Sequence, residues 1–139
     1  MDFTPEMAAR ADQLCKGTLV EHLGIRFSVD GNGRLTASMP VAGHTKQPVG
    51  LLHGGATAAL AESLGSMGSA LLIDTDKEGV VGIEVNANHL LGVRNGSVTA
   101  TGTLVHRGRT THVWDIRVTD EEGRLSAVCR LTNLIIGRK

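Results

Sequence analysis

Glu62 is the residue with the strongest claim on chemistry. It lies inside residues 50–73, G-L-L-H-G-G-A-T-A-A-L-A-E-S-L-G-S-M-G-S-A-L-L-I, a run of small and aliphatic residues. Its only other polar side chains are His53, Thr57, Ser63, Ser66 and Ser69. The length and the Ala and Leu content predict a helix. Being apolar almost all round, that helix must be buried on more than one side. A carboxylate there is costly unless it is ion-paired, reached by solvent from a cleft, or shifted toward its neutral form. Such a glutamate serves as a general base near neutral pH or attacks as a carboxylate nucleophile. Residue types alone leave both routes open, along with a purely structural ion pair.

The neighbours of Glu62 have types that suit acyl transfer. Ser66 lies one helical turn on, where its hydroxyl can hold an attacking water or bond back to a carbonyl. Ser63 points elsewhere. No G-x-S-x-G elbow surrounds either serine, which excludes a serine-hydrolase nucleophile of that kind. His53, Gly54 and Gly55 open the helix, and unpaired N–H groups at a helix N-terminus stabilise an anion or a developing oxyanion. His53 can donate to a carbonyl or order the loop. Gly54 and Glu62 are eight residues apart, about 12 Å along one helix at about 1.5 Å per residue. One carbonyl cannot meet both, so two antiparallel copies of the helix are expected to share the work.

The remaining elements frame this helix. Residues 4–16 read as a short helix with Thr4 as N-cap and Pro5 in the first turn, ended by Gly17. Residues 23–30 and 34–39 alternate in polarity across D-G-N-G and predict a hairpin. Residues 40–50 form a loop in which Pro48 keeps Gln47 extended. Four strands follow at about 80–91, 97–107, 110–120 and 124–136, punctuated by Asn95-Gly96, Arg107-Gly108 and Glu122-Gly123. Their short connections predict an antiparallel meander. The expected fold is α+β, a single domain over residues 1–139 with a curved antiparallel sheet wrapped round one long helix.

A formal net charge of +0 over 139 residues gives no support to a nucleic-acid partner. The apolar run contains His53 and Glu62, which argues against a membrane span. With no secretory leader pattern, a cytoplasmic protein is expected. Cys15 and Cys129 match no metal spacing and read as reduced, partly buried thiols. His22, His44 and His112 suggest no metal cluster, so no metal is expected.

The segment T-K-Q-P-V-G-L-L-H-G-G-A-T-A-A-L-A-E-S-L-G-S, with V-V-G-I-E-V-N-A-N-H after it, resembles the hotdog-fold acyl-CoA thioesterases. It is most similar to the branch holding 1,4-dihydroxy-2-naphthoyl-CoA thioesterase, the proofreading thioesterase of enterobactin synthesis and one type of 4-hydroxybenzoyl-CoA thioesterase. The resemblance runs from about Leu23 to Ile136. It implies hydrolysis of an aromatic or medium-sized acyl-CoA, with the Gly54 N–H and the Gln47 side-chain amide as oxyanion donors. It sets Gln47, His53 and Gly54 of one subunit against Glu62 and Ser66 of the other, in a homodimer that pairs into a homotetramer. For coenzyme A it points to Gly82, to His89, Leu90, Leu91 and Gly92, and to His106, Arg107, Gly108, Arg109, Thr110 and Thr111. Coenzyme A is then part of the substrate, and no further cofactor is implied. An acyl or aryl carrier-protein thioester is the alternative substrate, and a non-catalytic acyl-CoA sensor the alternative of another class. Val49 stands where such relatives usually carry phenylalanine, and the chain has only Phe3, Phe27 and Trp114 as aromatics.

Overall fold

The computed structural model describes residues 2–139. Helix α1 (Pro5–Leu14) begins as expected, with Thr4 Oγ1 accepting from the Met7 N–H and Pro5 in the first turn. It stops at Leu14, two residues before the expected end, and a four-residue helix α2 (Leu19–His22) follows that the sequence pattern did not suggest. Thr18 caps α2 through its hydroxyl. Strands β1 (Arg26–Val29) and β2 (Leu35–Pro40) form the expected hairpin, and a 3-10 turn (Gly43–Thr45) leads toward the long helix α3 (Gly54–Ala70). Strands β3 (Glu78–His89), β4 (Ser97–Arg107), β5 (Thr111–Asp120) and β6 (Leu125–Gly137) complete the chain.

All six strands form one antiparallel sheet in the order β1-β2-β4-β5-β6-β3. The meander therefore covers only β4, β5 and β6. β3 does not pair with β4 as a four-strand meander requires; it lies at the far edge against β6. The reason lies in the helix. α3 touches β2, β3, β4, β5 and β6, so the chain must supply strands on both flanks of it before the sheet can wrap. The segment after β3 is pinned over the start of β6, where the Leu90 and Leu91 N–H groups both donate to the Ser126 carbonyl (2.8 and 3.2 Å). This is the hotdog arrangement.

Close approach of helix and sheet depends on small residues. Leu60 and Leu64 of α3 are fully buried with Trp114, Ile116, Leu131, Leu35 and Met39. Each such aliphatic side chain contributes about 1.5–3 kcal/mol by leaving water. A Cβ at Gly68 would sit 2.7 Å from the six-membered ring of Trp114, and one at Gly65 would collide with Leu131. Trp114 thus fills the space that two helix glycines leave open. Cys15 and Cys129 are both buried and unbridged. Burial, with Asp115 adding to it, pushes the Cys129 thiol up to about 11, so it is inert at neutral pH.

Candidate active site

The loop before α3 is a tight turn. Gly50 N–H donates to the Gln47 carbonyl (3.0 Å), Gln47 N–H to the Leu51 carbonyl (2.8 Å), and Gly50 itself takes φ 89°, open to glycine at little cost. Within this turn the Gln47 side chain is held by its oxygen: Oε1 accepts from the N–H groups of Val49 (2.6 Å) and Leu51 (3.4 Å). Its NH2 group is thereby the end left to act as a donor. Gln47 lines a cleft of about 400 Å3 together with Gly54, Thr57, His89, Leu90, Leu91 and Gly92. The structure thus gathers one oxyanion candidate, the helix entrance and the first candidate coenzyme segment in one place.

At the helix entrance His53 is the N-cap. Its Nδ1 accepts from the Gly55 N–H (2.8 Å), which in the neutral ring leaves the proton on Nε2. The ring faces a second, shallower hollow with Leu19, Leu23, Ala56 and Ala59, not the cleft that holds Gln47. The Gly54 N–H has no acceptor among the described residues and opens on the cleft. The His89 ring lies against Gly54, so close that a Cβ there would meet Nε2 at 3.1 Å.

Glu62 is half-buried and makes no ion pair or hydrogen bond among the described residues, so the structural ion pair is not its role within the chain. Its carboxylate rests on Gly82 of β3: a Cβ at Gly82 would come within 3.3 Å of Glu62 Cδ and Oε2. The register of β3 against β6 shifts between Gly82 and Glu84, and such a bulge re-aims the strand beside the carboxylate. Ser66, half-buried one turn on, makes no back-bond to a carbonyl among the described residues. Ser63 does: its Oγ donates to the Ala59 carbonyl (2.6 Å). The α3 face carrying Glu62 and Ser66 therefore keeps its polar groups unspent.

The second segment that the family resemblance assigns to coenzyme A lies elsewhere. His89 pairs with Ala127 and Thr111 with Leu134, seven residues apart on β6 and so about 23 Å at about 3.3 Å per residue. The turn from His106 to Thr111 is closed by Gly108 N–H donating to the Thr111 carbonyl (2.8 Å) and sits by the C-terminal end of α3. Arg107 Nη2 reaches the Leu72 carbonyl there (2.8 Å), whereas Arg109, Thr110 and His106 are exposed. One chain does not bring this turn and the His89–Gly92 segment together.

A buried polar cluster beneath α3 was not singled out from sequence. His112, Trp114 and Asn133 converge on Ser69, and all are nearly or fully buried. Burial first, then the nearby Arg107 charge, hold His112 below its ordinary pKa, against the opposing pull of Glu78. A signal existed. His112 is in phase with the inward residues Trp114, Ile116 and Val118, and Asn133 with Cys129, Leu131 and Ile135, so both occupy core positions as polar residues.

A family model described as the thioesterase superfamily matches residues 49–127. The chain is 46% identical over 121 residues to 1,4-dihydroxy-2-naphthoyl-CoA hydrolase of Escherichia coli, covering 87% of this chain and 88% of that protein. It is 47% identical to the proofreading thioesterase EntH of Cronobacter turicensis, again over 87% of this chain and 88% of the relative. A crystal structure of a mutant thioesterase from Pseudomonas aeruginosa superposes with a TM-score of 0.90 at 50% identity, covering 94% of each chain. No helix among the described residues is long and apolar enough to cross a membrane.

Proposed function

Because this chain belongs to the thioesterase superfamily, we propose that it hydrolyses an aromatic or medium-sized acyl-CoA at a site built by two copies. In the overall step the C–S bond breaks, water supplies oxygen to the acyl carbon, and the thiolate leaves with a proton as free coenzyme A. Glu62 directs this step. It takes the proton of an attacking water, or adds to the carbonyl as carboxylate and is regenerated by hydrolysis of the anhydride. The Gly54 N–H and the Gln47 NH2 receive the charge that develops on the carbonyl oxygen. Ser66 and the Nε2–H of His53 border the same helix face. The observation that carries this reading is the unpaired carboxylate of Glu62 on a helix whose entrance presents the unpaired Gly54 N–H.

The two groups lie about 12 Å apart along α3, which is the argument for two copies. β3 is an edge strand, with Val81 and Ile83 43% and 56% exposed. Joining two such edges antiparallel covers both and sets each helix entrance beside the other copy's Glu62. The same pairing carries the turn from His106 to Thr111 of one copy toward the His89–Gly92 segment of the other, where Arg109 and Arg107 meet the coenzyme phosphates. Two such dimers pair into a tetramer.

Complementation tests the scheme. Glu62→Gln chains should lose at least about a hundredfold in kcat with KM near normal. Mixed by subunit exchange with chains changed to Ala at Gln47 and His53, they should regain up to about half the wild-type rate per heterodimer. Retained activity in Glu62→Gln alone sinks the role of Glu62, and verified exchange without recovery sinks the shared site. Running aryl-CoA, alkyl-CoA and carrier-protein thioesters side by side identifies the acyl carrier.

A further inference from the structure

A row of four residues, buried at its centre and exposed at its two ends, crosses the sheet on the face that carries α3. Arg107 of β4, His112 of β5, Asn133 of β6 and Gly82 of β3 stand in register across four neighbouring strands. Each touches the helix or the chain leaving it. Arg107 Nη2 holds the Leu72 carbonyl just beyond α3. His112 Nδ1 lies 2.8 Å from Ser69 Oγ, and Asn133 Nδ2 donates both to Ser69 Oγ (3.0 Å) and to the Gly65 carbonyl (3.1 Å). Trp114 Nε1 adds a third contact to Ser69 Oγ at 2.9 Å. Gly82 ends the row, and the Glu62 carboxylate rests on it.

The proton inventory of this cluster has one solution. Indole N–H and amide NH2 only donate, so Ser69 Oγ accepts from Trp114 and Asn133 and gives its own proton to His112 Nδ1. The hydroxyl is saturated and fixed in direction. Asn133 Oδ1, in contrast, is buried with no partner among the described residues. Stability alone does not account for such a cluster, since an apolar row of the same volume would leave no buried acceptor unpaired. What the cluster does supply is a lock on the rotation and axial register of α3. Ser69 follows Glu62 by seven residues and so lies within about 20° of it around the helix, at about 100° per residue. With side-chain tips about 5–6 Å from the axis, a turn of about 10° moves the carboxylate by about 1 Å. A misplacement of that size costs about a hundredfold in rate.

We propose that Asn133, acting with Ser69 and His112, is a positioning residue for Glu62, holding α3 so that the carboxylate stays seated over Gly82. The inference rests on the reading of Glu62 given above.

The test is a thermodynamic cycle with Asn133→Ala, Glu62→Gln and the double variant, each assayed for kcat and KM on one acyl-CoA. Measurements are made well below each variant's melting temperature, with circular dichroism and oligomer size checked against wild type. Asn133→Ala is expected to lower kcat at least about tenfold with KM within twofold. In the Glu62→Gln background it should cause no further loss, because the group it positions is gone. A kcat within twofold of wild type overturns the proposal. So does an equal proportional loss in both backgrounds, which marks a general effect on the fold. Full activity of Glu62→Gln by itself would instead overturn the underlying reading. Ser69→Ala, a smaller change, carries the same cycle if Asn133→Ala does not fold, and failure of both to fold makes the cluster a folding element and overturns the proposal.

Discussion

Gly82→Ala separates two roles that one residue can have. Its φ is not in the left-handed region, so alanine is tolerated by the backbone, and replacing a strand glycine stabilises by about 0.5–1 kcal/mol. The added methyl would lie 3.3 Å from Cδ and Oε2 of Glu62 and 3.5 Å from Oε1. Comfortable contacts begin near 3.5–4.0 Å, so the carboxylate must retreat by about 0.3–0.5 Å. If about 1 Å of misplacement costs about a hundredfold, this retreat costs about four- to tenfold on a logarithmic scale. Steady-state kinetics on an acyl-CoA, with urea unfolding of the same preparation, gives both numbers. A lower kcat at unchanged KM, in a protein no less stable than wild type, is the expected result. A kcat within twofold of wild type would refute the claim that the resting seat of Glu62 is its working position. A raised KM at unchanged kcat would assign Gly82 to coenzyme binding instead.

Three further outcomes follow from the same geometry. Arg109→Ala should raise KM for acyl-CoA more than it lowers kcat, and the effect should shrink on a pantetheine thioester that lacks the nucleotide phosphates; Arg107→Ala should add a loss of stability, because Arg107 also holds the Leu72 carbonyl. Gly68→Ala should destabilise by about 1 kcal/mol in urea unfolding, since overpacking against Trp114, about 1–3 kcal/mol, outweighs a gain of about 1 kcal/mol in helix propensity. His112 is held neutral by burial and by Arg107 and His106 of β4, against Glu78 of β3. Below about pH 6.5 the unfolded chain takes a proton that the folded chain refuses, so stability should fall as pH drops through that value, by up to about 1.4 kcal/mol per unit, until the lowered folded pKa is reached. His112→Gln should flatten that slope in melting curves.

The fold was legible where one element sets its own pattern. α3 announces itself by length and by small residues, and the strands by alternation, and all of these stand within a few residues of expectation. The N-terminal helix frays earlier than Gly17 because Cys15 already caps it, and α2 is too short to carry a period. The place of β3 was not legible. Nothing in residues 78–89 distinguishes pairing with β4 from pairing with β6; the choice is made by α3, which needs a strand on its far flank.

The site divides along the same line. Glu62 and Gly54 stand out as candidates in the sequence because each is an anomaly in place, a carboxylate in an apolar helix and a glycine at a helix entrance, whereas Gln47 becomes a candidate only through the family resemblance. Among the described residues the Glu62 carboxylate and the Gly54 N–H are unpaired, and the Gln47 side chain is bound through its oxygen alone. The polar row from Arg107 to Gly82 is different in kind. Its members come from four strands and are neighbours only through register, so spacing along the chain does not connect them. Each taken singly has an ordinary explanation, a solvated arginine or a strand glycine. Joined across the sheet they become one device, and Asn133 Oδ1, its one fully buried polar side-chain atom without a partner among the described residues, lies one strand away from the glycine that seats Glu62. A core built for stability alone would have closed that gap with a methyl group.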